Sequence, residues 1–272
     1  MGARRFRLGR VVAVAALLAL ALLAWGLHGA RADPVVRRMT VRLANWPAGA
    51  APVRVLLWSD LHLGNRATDR DRLARLVGQV DALRPDLVVL AGDYVSGRGR
   101  AAAAVAPDLG VLRGLRAPLG VVAVMGNHDY WTDAPLVRRV LERAGVTVLA
   151  NAAVRRGPLA VGGIDDVVNW RGDVPKTVAA VRRLGGAAVF VSHSPDAAPR
   201  LPRGLLLAGH THCGQIVVPG WGPLVQVAAP RYRCGPVREG RRLTVVTAGT
   251  GTSEAPLRFG AAPDMWLLTL GP

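Results

Sequence analysis

Residues 53–64 read VRVLLWSDLHLG, and the reading of this stretch decides the fold. The run VRVLLW is short and apolar, which marks a buried strand. It stops at Ser59, and a carboxylate (Asp60) and an imidazole (His62) follow directly. The same layout recurs along the chain. DLVVLAG (86–92) is followed by Asp93, LGVVAVMGN (119–127) delivers Asn127, His128 and Asp129, AAVFVSH (187–193) ends on His193, and GLLLAGH (204–210) leads to His210 and His212.

Helical spacing fills the gaps between these runs. It predicts helices over residues 69–84, a small-residue helix near 101–113, a third over 134–145 ending on Gly, and another near 174–184. After residue 210 the helices stop, and GQIVVPG, GPLVQVA, RLTVVTAG and MWLLTL read as strands of a β-rich end. Strands alternating with helices imply an α/β fold with largely parallel sheets, whose ligands gather at the carboxyl ends of the strands. No repeat or long linker interrupts residues 50–272, so one domain is expected there.

Of the six histidines, five lie in the strand-end loops, and the sixth, His28, lies near the N-terminus. Singly, each polar strand end has a bland explanation as a helix cap, a turn or a hydrogen-bonded histidine. Jointly they make a donor set of carboxylate, imidazole and amide oxygen, suited to Mn, Fe or Zn rather than to a thiolate site. The donors are too many for one tetrahedral ion. Two divalent ions sharing a carboxylate is the simpler account, and such pairs are used in phosphate ester hydrolysis.

The composition narrows the partners. The chain has 272 residues, 51% of them apolar, and a formal net charge of +17 carried almost wholly by arginine. The arginines are scattered and aromatics are only 5%, which is unlike a nucleic-acid interface. The charge suits an anionic phosphoester or an anionic membrane surface, and a monomer is expected. At the N-terminus, MGARRFRLGR precedes an apolar run from Val11 onward, the layout of a signal peptide or signal anchor over residues 1–32. ARAD (30–33) offers a cleavage site after Ala32, and Arg4-Arg5 loosely matches a twin-arginine signal. Arginines flank the run on both sides and leave its orientation open. The placement expected is the bacterial cell envelope, membrane-associated or exported. Cys213 and Cys234 fit no metal pattern; one bridge between them and two free thiols are both open.

Taken in order, D-x-H, G-D, G-N-H-D, a lone His and G-H-x-H resemble the calcineurin-like metallophosphoesterase superfamily. GHTHCGQ and the tail TAGTGTSEAPLRFGAAPDMWLLTL are similar to its bacterial YkuE/YaeI-like branch. Many relatives have Gly where Cys213 stands, a small-for-small change. The resemblance implies a layered αββα sandwich, two mixed β-sheets flanked by helices. It also implies one metal on Asp60, His62 and His212, a second on Asn127, His193 and His210, and Asp93 bridging them, with Mn the favoured ion. His128 becomes the group that contacts the phosphate and protonates the leaving oxygen. Asp129 either orients His128 or serves as a turn or cap residue.

Asp165 and Asp166 in GGIDD are read as loop structure, and the glycines of TAGTGTS as a turn. Tyr130 and Trp131 could stack on a substrate or pack their loop. The expected activity is a phosphodiesterase or pyrophosphatase acting on a cell-envelope or lipid-linked phosphate. The alternatives are a UDP-2,3-diacylglucosamine pyrophosphatase, a broad phosphomonoesterase, and a non-catalytic envelope-binding protein. The loops at 66–72 and 165–173 hold nothing diagnostic of substrate.

Overall fold

The computed structural model describes residues 2–272, with side chains from residue 9 onward except at 101. The arginines of the candidate export signal at positions 4, 5 and 7 therefore lie outside the described side chains. The chain opens with a long helix, α1 (Gly2–Arg31). The first half then lays down β1 (Val35–Arg42), β2 (Val53–Trp58), β3 (Leu87–Leu90), β4 (Val121–Ala123) and β5 (Val146–Val148). The next strands are β6 (Ala152–Arg156), β7 (Leu159–Gly163), β8 (Ala187–Val191) and β9 (Gly204–Ala208). A two-residue hairpin, β10 (Val217–Val218) and β11 (Gly222–Pro223), precedes β12 (Gly235–Glu239), β13 (Arg242–Val246) and β14 (Asp264–Gly271).

These strands form two six-stranded mixed sheets, ordered β1-β14-β2-β3-β4-β5 and β12-β13-β9-β8-β7-β6. β2 to β5 run parallel, as do β7, β8, β9 and β13, so their carboxyl ends emerge on one side. β14 returns from the end of the chain to sit between β1 and β2, parallel to the first and antiparallel to the second. The inner faces meet in a core that includes Val55, Leu57, Val89, Val189, Leu207 and Leu268. Because β2, β3, β8 and β9 are covered on both faces, they read as continuous apolar runs without alternation.

Helices close the outer faces. α2 (Arg70–Ala82), capped by the Asp69 carboxylate on the Arg72 amide, and α5 (Ala134–Arg143) lie on the first sheet, and α6 (Val174–Leu184) on the second. The small-residue segment departs from its expected helix. It forms a short α3 (Gly99–Ala103) and then a 3-10 stretch over Ala106–Gly114. Pro107 removes a backbone donor and Gly110 weakens the interior, so a regular helix cannot continue.

The β-rich end also differs from its expectation. GPLVQVA does not form a strand beyond Gly222–Pro223, and Leu224, Val225 and Val227 stay exposed. Its apolar spacing suits a strand, but no neighbouring strand meets it beyond the hairpin. Cys213 and Cys234 are joined in a disulfide that closes this loop over 21 residues. By the loop-entropy estimate such a bridge stabilises a protein by about 3 kcal/mol. Cys234→Ser should lower the unfolding free energy by about that amount in a denaturant titration. Two free thiols found on titrating the unfolded, unreduced protein would show that the two cysteines are not paired.

Candidate metal centre

The carboxyl ends of five strands point into one space between the sheets. β2 delivers Asp60 and His62, β3 delivers Asp93, and β8 and β9 deliver His193, His210 and His212. After β4 comes the short helix α4 (Asn127–Thr132), whose first residues are Asn127, His128 and Asp129. Asp60, His62, Asp93, His193 and His212 are buried. Asp60, His62, Asp93, His210 and His212 all have left-handed backbone, with φ between 46° and 71°. Such conformations cost non-glycine residues of order 1 kcal/mol or more each and persist only where surrounding structure imposes them.

The donor atoms fall into two groups that meet at Asp93. In the first, His62 Nε2 lies 3.1 Å from His212 Nε2, and His212 Nε2 lies 3.4 Å from Asp60 Oδ1. In the second, His193 Nε2 lies 3.1 Å from both Asn127 Oδ1 and His210 Nδ1. Asp93 Oδ2 stands 3.5 Å from His62 Nε2 and 3.2 Å from His193 Nε2, so one carboxylate faces both groups. Metal–ligand bonds of about 2.0–2.2 Å place neighbouring ligand atoms roughly 3–3.6 Å apart. The observed separations therefore have the spacing of ligands around an ion, and the donor set fits divalent cations.

Burial sets the protonation of the site. It lowers His62 and His210 to about 3 and His212 well below the usual imidazole value, leaving each neutral with a lone pair to offer. His193 is equally buried, but Asp93 beside it raises it to about 10, so it must lose a proton before Nε2 can act as a ligand. Burial opposes the charge on Asp93 as well, yet His193, His62 and His128 hold its carboxyl below the ordinary range. Burial pushes Asp60 up, with Asp93 adding to the effect. The ring of His193 is fixed by Nδ1 against the Ala91 carbonyl at 2.8 Å, which turns Nε2 toward the centre.

His128 sits beside this cluster. Its ring meets those of His62 and Trp131 at centroid distances of 4.8 Å, and its Nε2 is 3.4 Å from Ser253 Oγ. It is buried, and its Nδ1 has no hydrogen-bond partner. Asp129 does not orient it. The Asp129 carboxylate instead accepts the backbone N–H groups of Gly126, Asp93 and Tyr94 at 2.8, 3.0 and 2.8 Å, tying the β3 and β4 loops together. Position N3 of α4 favours this geometry, since a carboxylate there reaches back to the N-cap amide. Burial and the neighbouring Asp93 push its carboxyl up to about 8.

Three further placements concern the surrounding loops. Asp165 and Asp166 hold their own loop, Asp166 accepting from the Val168 and Asn169 amides. Tyr130 bonds Asp165, while Trp131 bonds Asn169 and lies under Arg98 at 4.2 Å, lining the cavity above the cluster. TAGTGTS is more than a turn. Its backbone packs against the Asp60 loop, with the Thr250 and Gly251 amides donating to the Ser59 and Asp60 carbonyls. Ser253 and the buried Arg258 were not singled out in the sequence. Arg258 binds the Ala248 and Gly251 carbonyls at 2.7 Å and approaches His212 Nδ1 at 3.3 Å. No local spacing signals either residue, because the imidazoles they approach, His212 and His128, lie far away in the chain.

A cluster of oxygen and nitrogen donors at one mouth of a two-sheet sandwich is the build of a metal-dependent hydrolase. This chain belongs to the calcineurin-like phosphoesterase family, whose pattern matches residues 53–214. It is 31% identical over 244 residues to the uncharacterized metallophosphoesterase YkuE of Bacillus subtilis, covering 85% of this chain and 83% of that one. It is 31% identical over 240 residues to phosphodiesterase YaeI of Escherichia coli, covering 84% and 86%. A zebrafish transmembrane protein with a metallophosphoesterase domain is 30% identical over 281 residues, 94% of this chain and 62% of that protein. The protein is thus a hydrolase of phosphoester substrates with a site for divalent metal ions.

Asp129→Ala would leave three buried N–H groups without an acceptor. It should destabilise the fold by at least about 3 kcal/mol in a denaturant titration. Unchanged stability with lost turnover would instead return Asp129 to a role on His128.

Proposed function

We propose that the protein is a two-metal phosphodiesterase or pyrophosphatase acting on a cell-envelope or lipid-linked phosphate, held at the membrane by α1. The carrying observation is the cavity above the cluster, about 370 Å³, with a floor of metal-ligating groups and walls that are largely apolar. Asp60, His62 and His212 would hold one ion, and Asn127, His193 and His210 the other. Asp93, facing both groups, would be shared. The mixed oxygen and nitrogen donors suit Mn, Fe or Zn, and the family resemblance makes Mn the first ion to test. Bound ions would activate water at neutral pH and neutralise charge developing on the phosphoryl oxygens.

The protein's own groups supply the rest. Asp93 Oδ1 accepts the His128 amide at 2.9 Å, so the bridging carboxylate and the proton donor are placed by one contact. His128 stands at the cavity floor without being needed as a ligand, and an imidazole there can protonate the departing oxygen. A phosphodiester needs such a donor when its leaving group is an alkoxide. Trp131 and Ile216 offer apolar surface to the part of the substrate beyond phosphorus. The name of the E. coli relative supports diester cleavage, and α1, apolar over Gly9–Arg31 with a mean hydropathy of 2.3, supports membrane attachment.

The test compares a chromogenic phosphodiester and phosphomonoester, using the full chain in detergent reloaded with Mn. Because a nitrophenolate leaves without a proton, the acid role is read on a diester with an alkoxide leaving group, where His128→Ala should lower turnover by roughly 10²- to 10⁴-fold while metal content by mass spectrometry is unchanged. Asp93→Asn should lose metal from both positions, whereas His212→Ala should keep ions at the His193 side. Faster monoester than diester hydrolysis would make it a phosphomonoesterase. Unaltered turnover of the alkoxide diester in the His128 variant would remove that residue from leaving-group protonation.

A further inference from the structure

The hairpin beside the metal centre presents an apolar surface that the protein leaves uncovered. Trp221 is 85% exposed, Val225 67% and Leu224 60%, with Val218 and Val227 also in solvent. These residues are consecutive in space along one loop, whose fold is set by the β10–β11 pairing and the Leu224 amide on the Ile216 carbonyl at 2.9 Å. Leu224, Val225 and Val227 also wall the cavity over His128 and His210. A cluster of this kind on a soluble surface marks an interaction site.

Its position identifies the partner. The hairpin is pinned to Phe259, whose amide donates to the Gln215 carbonyl and whose carbonyl accepts the Val217 amide, both at 2.9 Å. Phe259 is also where α1 lands. Trp25 meets its ring edge-on at 5.7 Å, the Arg258 amide donates to the Gly26 carbonyl at 3.0 Å, and a side chain on Gly26 would collide with Phe259. The last turns of α1 are joined to the domain again where Arg72 donates to the Ala32 carbonyl at 2.9 Å and Arg31 pairs with Asp69. Over residues 11–24 the helix is exposed and apolar, and Gly9–Arg31 is long enough to cross a bilayer. A bilayer around α1 therefore meets the domain at Phe259, and the hairpin lies against that same residue.

We propose that residues 217–227 form a lip that dips into the bilayer interface beside an uncleaved α1, opening the cavity to phosphoesters borne by lipid. This rests on the phosphoesterase reading only for what the lip delivers. An exposed tryptophan with aliphatic neighbours is suited to the interfacial zone, and the net charge of +17 favours an anionic leaflet. A lipid-borne phosphate would reach the cluster with its chains still in the membrane, along the wall made by Leu224 and Val225.

The experiment uses the full chain reconstituted in vesicles of phosphatidylglycerol and phosphatidylethanolamine. Lipids brominated on their acyl chains should quench part of the tryptophan fluorescence, and Trp221→Ser should remove a share of that quenching. Equal quenched intensity in the native and Trp221→Ser proteins would overturn the lip. This readout is independent of catalysis and decides the proposal even if no phosphoester is turned over. For activity, vesicle-borne 4-nitrophenyl hexadecyl phosphate is compared with soluble bis(4-nitrophenyl) phosphate. Val218→Ser with Trp221→Ser, at the hairpin tip and outside the cavity, should cut the first rate about tenfold and leave the second unchanged. Equal losses on both substrates would mean that the tip acts through the fold and would overturn the delivery role.

Discussion

The position of the Asp93 carboxylate is the constraint from which the rest of the centre follows. It lies between two clusters of imidazoles at the floor of the cavity, itself almost wholly buried, and burial of so many polar groups is unfavourable unless each is matched. Asp93 answers this with one oxygen toward His62 and His193 and the other on the His128 amide. It is the negative charge set against a protonated His193 on one side and the neutral ring of His62 on the other. Two cations sharing a site need an anion between them, and the fold places one there.

Holding that carboxylate requires backbone that ordinary loops avoid. Two glycines show how tightly the strand ends are drawn together. A Cβ on Gly126 would stand 2.5 Å from the Asp93 amide nitrogen, and one on Gly209 would run into Ser59 and Asp60. Around them, the left-handed residues at 60, 62, 93, 210 and 212 turn their side chains inward. The strain is sustained by the two sheets, whose apolar strands fix the loop ends, and by Asp129, which clamps two of the loops through their amides. Asp129 thus fixes the geometry of the loops as the cap residue that was one of its two expected roles.

What the sequence made legible follows the same physics. Strands buried on both faces leave uninterrupted apolar runs, so β2, β3, β8 and β9 could be found and the polar residues at their ends collected into one site. The left-handed turns left no such mark, because Asp and His are not glycines and their conformation is imposed from outside. Arg258 and Ser253 were invisible for a related reason: each reaches an imidazole far away in the chain, and the nearby carbonyls that Arg258 gathers lie in an irregular loop with no period to read. The segment at 222–228 misled in the opposite direction. Its apolar residues have the composition of a strand, but composition does not record whether a partner strand exists, and here none covers it.

That exposed segment and the buried arginine belong to one structural circuit. The Arg258 backbone is hydrogen-bonded to the end of α1, and its guanidinium gathers the carbonyls of the loop packed behind Asp60 and reaches the ring of His212. The next residue, Phe259, receives both the helix and the hairpin. In this chain the apolar N-terminal helix, the cavity wall and one side of the donor cluster are built on two adjacent residues, so the seat of the helix and the shape of the site are set by the same contacts.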